Sequence, residues 1–90
     1  PMYSFPSNKE VVKPPFSLQV GAYGEEANAD HQSSQLNAAG FSARVELKES
    51  NSRTLYVVKI GYYSDRMMAK VAGQELMSTL GVDNIVISNK

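Results

Sequence analysis

Gln19, Arg44, Glu46 and Lys59 are the side chains whose types and spacing point to chemistry, and that chemistry is recognition. Each is flanked by apolar residues: Leu18 and Val20, Ala43 and Val45, Val45 and Leu47, Val58 and Ile60. Alternation with period two marks strands with one face in the core, so all four polar groups fall on the opposite face. A glutamine amide offers two donors and an acceptor from a rigid strand. Arginine can clasp a carboxylate with two parallel hydrogen bonds, and lysine supplies a point charge. His31 stands on a polar helical stretch with no second ligand three or four residues on, so no metal or cofactor is expected. The sequence has no cysteine, hence no disulfide frame, thiolate metal site or thiol nucleophile.

The elements that position these groups are organised by a repeat. Phe16-Ser17-Leu18-Gln19-Val20-Gly21-Ala22-Tyr23 returns as Tyr56-Val57-Val58-Lys59-Ile60-Gly61-Tyr62-Tyr63. Each copy is a short β-run closed by glycine and an aromatic, and each is followed by helical spacing, with Ala29 matching Ala69 and Leu36 matching Leu76. Alternation predicts strand one over residues 16–22, with Phe16, Leu18 and Val20 inward and Ser17, Gln19 and Gly21 outward. It predicts strand two over 42–48, with Ala43, Val45 and Leu47 inward. Strand three, over 55–61, turns Tyr56, Val58 and Ile60 inward, and residues 49–54 form a polar hairpin loop. Strand four, over 84–88, is expected to turn Ile85 and Ile87 inward and Val86 outward. Helices are predicted over 25–39, with the stripe Ala29, Ser33, Leu36 and Ala39, and over 65–80, burying Met68, Ala69, Ala72, Leu76 and Leu80. Ser64 is the expected N-cap of the second helix, and Gly40 and Gly81 the stops. Tyr23 and Tyr63 are expected in the core, and Met67 and Met68 in helix packing.

Two β-α-β units in tandem make a ferredoxin-like β-α-β-β-α-β domain of the α+β class. A four-stranded antiparallel sheet carries both helices on one face, with strands one and three central. The other face is open, and Ser17, Gln19, Leu55, Val57 and Lys59 would lie at its centre, flanked by Arg44, Glu46 and Val86. Apolar side chains at the centre of a bare sheet face usually mean contact with something.

Ninety residues allow one domain with a modest core. Formal net charge is zero, so no long-range field draws the chain to nucleic acid or an anionic membrane. Residues 1–15 hold all four prolines among polar residues and are expected to be a linker ahead of a domain at 16–90, with Met2, Tyr3 and Phe5 incidental to it rather than a short docking motif. The chain begins with proline and is read as a piece of something longer. No run of apolar residues is long enough for a membrane span.

The repeated motif, Leu18-Gln19-Val20-Gly21-Ala22-Tyr23 and Tyr56-Val57-Val58-Lys59-Ile60-Gly61, together with Asn28-Ala29, Leu36, Gly40-Phe41 and the Gly81–Ile87 end, resembles the SPOR (sporulation-related repeat) family over residues 16–88. The resemblance implies a bacterial cell-envelope module, on the periplasmic or cell-wall side of the membrane. It implies binding to peptidoglycan glycan strands stripped of stem peptides, as found at division septa. It also implies that the open sheet face does the reading and that Gln19 is prominent there. Four positions depart from the family pattern: Ala22 where serine is frequent, Leu55 where an aromatic is, Val57 where arginine is, and Tyr62 in place of proline. The expected glycan-binding set is therefore Ser17, Gln19, Ala22, Arg44, Leu55, Val57, Lys59, Tyr62 and Val86. Leu55, Val57 and Val86 either receive the C–H face of a sugar ring or pack beneath the N-terminal segment or a partner domain. Tyr62 either stacks on a sugar or is a surface aromatic.

Glycoside hydrolysis needs two positioned carboxylates, and Glu46 is the single acid expected on that face. Catalysis by this domain is excluded on that ground and for want of a Ser-His-Asp order. An RNA-binding domain of the same topology would need aromatics on the central strands and a basic surface, where this chain has Val57, Gln19 and balanced charge. A small-molecule regulatory domain would form a stable dimer, whereas a glycan reader is expected to be monomeric and free of membrane contact.

Overall fold

A computed structural model describes residues 14–89 of the chain. The elements are β1 (Phe16–Tyr23), α1 (Glu26–Ala38), β2 (Ala43–Ser50), β3 (Arg53–Tyr63), α2 (Arg66–Leu80) and β4 (Ile85–Ser88). All strand pairs are antiparallel in the order β2-β3-β1-β4, so β1 and β3 are the central strands, as their apolar alternation requires. Both helices cover one face. Leu18, Val58 and Ile60 of the sheet meet Ala29 and Leu36 of α1 and Ala69 and Leu76 of α2 in one core. Burying each of the larger aliphatic chains contributes about 1.5–3 kcal/mol. The expected linker lies outside the described residues as far as residue 13. Pro15 offers its carbonyl to the Asn89 amide at 2.7 Å.

The β1–β3 register departs from strict alternation twice. Phe16 faces Tyr63 but Leu18 faces Ile60, which places one extra residue on β3. Gln19 faces Lys59 but Gly21 faces Val58, which places one extra residue on β1. The second bulge flips the parity expected for the end of β1. Gly21 turns toward the helices instead of the open face, and Ala22 falls opposite Val57 on the open side. A side chain at Gly21 would meet the Gln32 amide and the Tyr23 ring. Gly61 stands at the first bulge with φ 67°, a region that favours glycine, and the Tyr63 ring lies over it. Tyr23 and Tyr63 both pack on the core as expected, and burial, helped by the Glu75 charge, pushes the Tyr63 phenol up.

The hairpin is tighter than its polar sequence implies. Asn51 and Ser52 take positive φ, 51° and 66°, and form a two-residue turn, so pairing runs to Ser50 and Arg53. The arm reaches past the helices, and Leu47, on their side by register, is 61% exposed. Three of the helix expectations also fail, while Ala72 packs on the core as expected. Ala39 is the exposed C-cap of α1, Met68 and Leu80 of α2 are exposed, and Gly73 takes the buried place beside Ala69 and Leu76. Met67 is exposed as well, so neither Met67 nor Met68 is helix packing.

Strand four is inverted relative to its expected phase. Val86 pairs with Leu18 and packs on the core, whereas Ile85 and Ile87 pair with Gln19 and Ser17 on the open side. Asn84 sets this phase from the preceding turn, donating to the carbonyls of Gly73 and Val82 at 3.0 Å each.

The N-cap of α2 is Asp65, not Ser64: its carboxylate accepts from the Met68 amide at 2.8 Å. Loss of such a cap costs about 0.5–2 kcal/mol. Asp65→Ala is expected to lower unfolding free energy by that amount in urea titration, with Ser64→Ala within about 0.5 kcal/mol of wild type. Equal effects of the two substitutions would contradict the cap assignment.

Candidate functional site

The open face is built around a buried hydroxyl. Ser17 is fully buried although it points away from the helices. Its Oγ donates to the Gly61 carbonyl at 2.6 Å and accepts from Arg44 Nη2 at 3.0 Å and Asn89 Nδ2 at 2.8 Å. One donor and two acceptor positions are thereby all used. The Gly61 carbonyl also accepts from Arg44 Nη1 at 3.0 Å. Expected as a ligand contact, Ser17 is instead a tie between β1, β2, β3 and the residue after β4.

Arg44 is held on every side. Beyond Ser17 and Gly61, its Nε pairs with Glu46 at 2.8 Å, and its guanidinium lies 3.9 Å from the Tyr62 ring centroid. The second oxygen of Glu46 pairs with Lys59 Nζ at 2.7 Å. One carboxylate thus bridges both cations across β2 and β3, which register Arg44 opposite Lys59. Hydrogen bonds from Lys59 and then Arg44 hold the Glu46 carboxyl below its ordinary value of 4.5, against a smaller opposing effect of burial. Neither Arg44 nor Lys59 is therefore the free cation that alternation alone suggests.

What remains uncommitted is different in kind. The Gln19 side chain, half-buried at the centre of the sheet, makes no hydrogen bond among the described residues. Beside it runs a shallow depression of about 370 Å³, lined among others by Glu46, Val57, Lys59, Ile87 and Asn89. That is near the lower end of the roughly 300–1,000 Å³ of small-molecule sites. Val57 is only 4% exposed despite lying on this face, and Leu55 is half-buried along the same strand. Ala22 is exposed opposite Val57. Tyr62 has one ring face covered by Arg44.

Of the expected residues the structure brings Ser17, Gln19, Ala22, Arg44, Leu55, Val57, Lys59 and Tyr62 to the open side, and it removes Val86, which lies in the core. Ile87 was missed. Three consecutive aliphatics, Ile85-Val86-Ile87, satisfy either phase, and placing two isoleucines inward is the wrong choice. The signal available in the sequence was Asn84, a side chain able to anchor the turn before the strand. Among the described residues no cluster of metal-ligating side chains forms, and His31 is exposed.

The bridging carboxylate carries a pH dependence. A group whose folded pKa is depressed contributes stability above its unfolded value and loses it as pH falls through the folded one. Glu46 is partly exposed, so each pair is worth about 0.2–1 kcal/mol after solvent screening. Glu46→Gln is expected to be less stable than wild type at pH 7 by about 1 kcal/mol or less. The gap should close as the pH drops below 4.5 and through the depressed value of the carboxyl. Urea midpoints measured across that range check this, and a gap independent of pH would refute it.

Comparison with known proteins agrees with this architecture. The SPOR domain model matches residues 13–88. The solution structure of the peptidoglycan binding domain of the B. subtilis cell wall lytic enzyme CwlC is similar at 32% identity, with a TM-score of 0.70, over 89% of this chain and 95% of that one. The crystal structure of the RlpA SPOR domain from Pseudomonas aeruginosa shares the fold at 15% identity, with a TM-score of 0.66, over 80% of this chain and 96% of that one. No curated protein matches. With its family model spanning the whole sheet and both helices, the chain belongs to the SPOR domain family.

Proposed function

We propose that this chain is a non-catalytic peptidoglycan-binding module that reads glycan strands lacking stem peptides and brings a parent envelope protein to the division septum. The observation that carries the reading is an open sheet face on which the Gln19 amide, without a hydrogen bond among the described residues, lies in a depression lined by polar groups together with Val57 and Ile87. It occurs in a SPOR domain 32% identical to a peptidoglycan binding domain. Gln19 donates to and accepts from sugar hydroxyls and N-acetyl groups. Leu55 and Ile87 receive the C–H faces of the rings, with Val57 packed beneath them and Ala22 beside it. Ser17, Arg44 and Tyr62 support that surface from within it. Lys59 meets the lactyl carboxylates that remain on a strand without peptides, in competition with Glu46.

The setting follows from the ligand: the bacterial cell envelope, with residues 1–15 as a linker and the domain a monomer. No helix among the described residues is long and apolar enough to cross a membrane. RNA binding is disfavoured by Gln19 and Val57 on the central strands and by a formal charge of zero.

The test is co-sedimentation with sacculi. Binding is expected to be stronger to amidase-treated sacculi than to intact ones, and equal binding or none would sink the reading. Gln19→Ala is expected to weaken that binding by roughly 0.5–1.5 kcal/mol through lost hydrogen bonds. Its unfolding free energy should stay within about 0.5 kcal/mol of wild type, as for other surface substitutions.

A further inference from the structure

The depression on the open face is lined by two cations, Lys48 and Lys59, and they are not equivalent. Lys59 is tied to one oxygen of Glu46 at 2.7 Å, and the other oxygen is tied to Arg44 at 2.8 Å. Lys48 follows Glu46 by two positions on β2, so alternation sets it on the same face, registered opposite Leu55. It is exposed, and among the described residues it enters no hydrogen bond or ion pair. Its acidic neighbour on that face has both oxygens taken, and Glu49, the next acid along β2, falls on the opposite face. A lysine ammonium is a compact charge with three donors on a flexible stem, and that stem has half-buried Leu55 beside it on β3. Arg53 shares the face by alternation but lines a separate hollow at the hairpin turn.

The place of Lys48 sets a length. Lys48 is registered against Leu55 and Gln19 against Lys59, on the two strands that flank β3. At about 3.3 Å per residue and about 4.8 Å between strands, their backbones lie roughly 16 Å apart. A single sugar does not span that distance, whereas an oligosaccharide does.

The chemistry of the strand supplies the partner. A stem peptide is joined to the glycan through an amide at the lactyl carbonyl of N-acetylmuramic acid. Hydrolysis of that C–N bond leaves a carboxylate on the sugar and carries the amine away with the peptide. A neutral amide is thereby exchanged for a negative charge at one fixed point of the ring. Hydrogen bonds to an ionised acceptor are roughly twice as strong as those to a neutral one. A lysine with no competing carboxylate gains that whole difference, whereas Lys59 must first give up Glu46.

We propose that, given the glycan ligand argued above, Lys48 determines the preference for peptide-free strands. Its ammonium pairs with the lactyl carboxylate that amide hydrolysis exposes, while Gln19 holds the same strand farther along the face.

The probes are end-labelled glycan strands released from amidase-treated sacculi, and the same strands with their carboxyls converted to methylamides. Binding is followed by fluorescence anisotropy. Wild type is expected to prefer the carboxylate strand about threefold at low salt and little at high salt, the size of an exposed ion pair. Lys48→Gln is expected to bind both strands equally, and Lys48→Arg to keep the preference. Arg53→Gln, which removes the same charge from outside the depression, should keep it too. Gln19→Ala should weaken both strands alike. Lys48 is exposed, so the urea midpoint of Lys48→Gln should match wild type. No preference in wild type, a preference retained in full by Lys48→Gln, or one lost equally in Arg53→Gln would overturn the inference and leave glycan binding standing. Binding of wild type to neither strand would strike glycan binding and this inference together.

Discussion

The carbonyl of Gly61 is the point on which the open face depends. The extra residue in β3 takes it out of regular pairing, and a backbone acceptor left without a partner inside a protein costs about 1–3 kcal/mol. Here it is satisfied twice, by the Ser17 hydroxyl and by Arg44. Satisfying it in this way fixes the arginine, the arginine fixes one oxygen of Glu46, and the other oxygen fixes Lys59. A local irregularity of the chain therefore orders three charged side chains on a surface where each would otherwise be free to move.

The second bulge is answered from the opposite direction. Val20, in the stretch where β1 gains its extra residue, has its carbonyl taken by Gln32 of α1 at 3.4 Å, and the Gln32 oxygen accepts from the Tyr23 hydroxyl at 3.0 Å. The two slips cancel, so Phe16 and Tyr23 meet Tyr63 and Tyr56 as if neither had occurred. Between them, Leu18 and Gln19 keep regular partners in Ile60 and Lys59. The repeated Gly-x-Tyr ending serves both bulges, since each tyrosine ring lies over the glycine two residues before it.

Much of this was legible in the sequence because it rests on period and repetition. The tandem copies, the alternation in β1, β2 and β3, and the helical stripes lead to the β-α-β-β-α-β order and to the central pair. What was not legible depends on single residues. A bulge shifts parity by one, so Gly21, expected on the open face, turns toward the helices. A run of three aliphatics carries no phase, so Val86 and its neighbours were inverted. Helices as short as α1 and α2 bury a narrow stripe centred on Ala29 and Ala69, which leaves Met68 and Leu80 at its margins. Ser17 reads as an ordinary outward strand residue, since nothing in a sequence reveals that a carbonyl forty-four positions away will need its proton.

The charge arrangement decides what the open face can recognise. With Glu46 between Arg44 and Lys59, a carboxylate ligand at either cation must displace or share an existing partner, so the gain from its charge there is small. The Gln19 amide, which makes no hydrogen bond among the described residues, and the half-buried Leu55 and Ile87 gain from an uncharged, hydroxyl-rich ligand with apolar ring faces. Among the described residues that enter no ion pair, Arg66 and Lys70 lie on α2, while Lys48 lines the depression on the open face. Opposite sides of one small sheet thus present different chemistry: a carboxylate-bridged pair of cations beside the Gln19 amide on the open face, and Arg66, Lys70 and Asp83 around Met77 and Val86 beside α2.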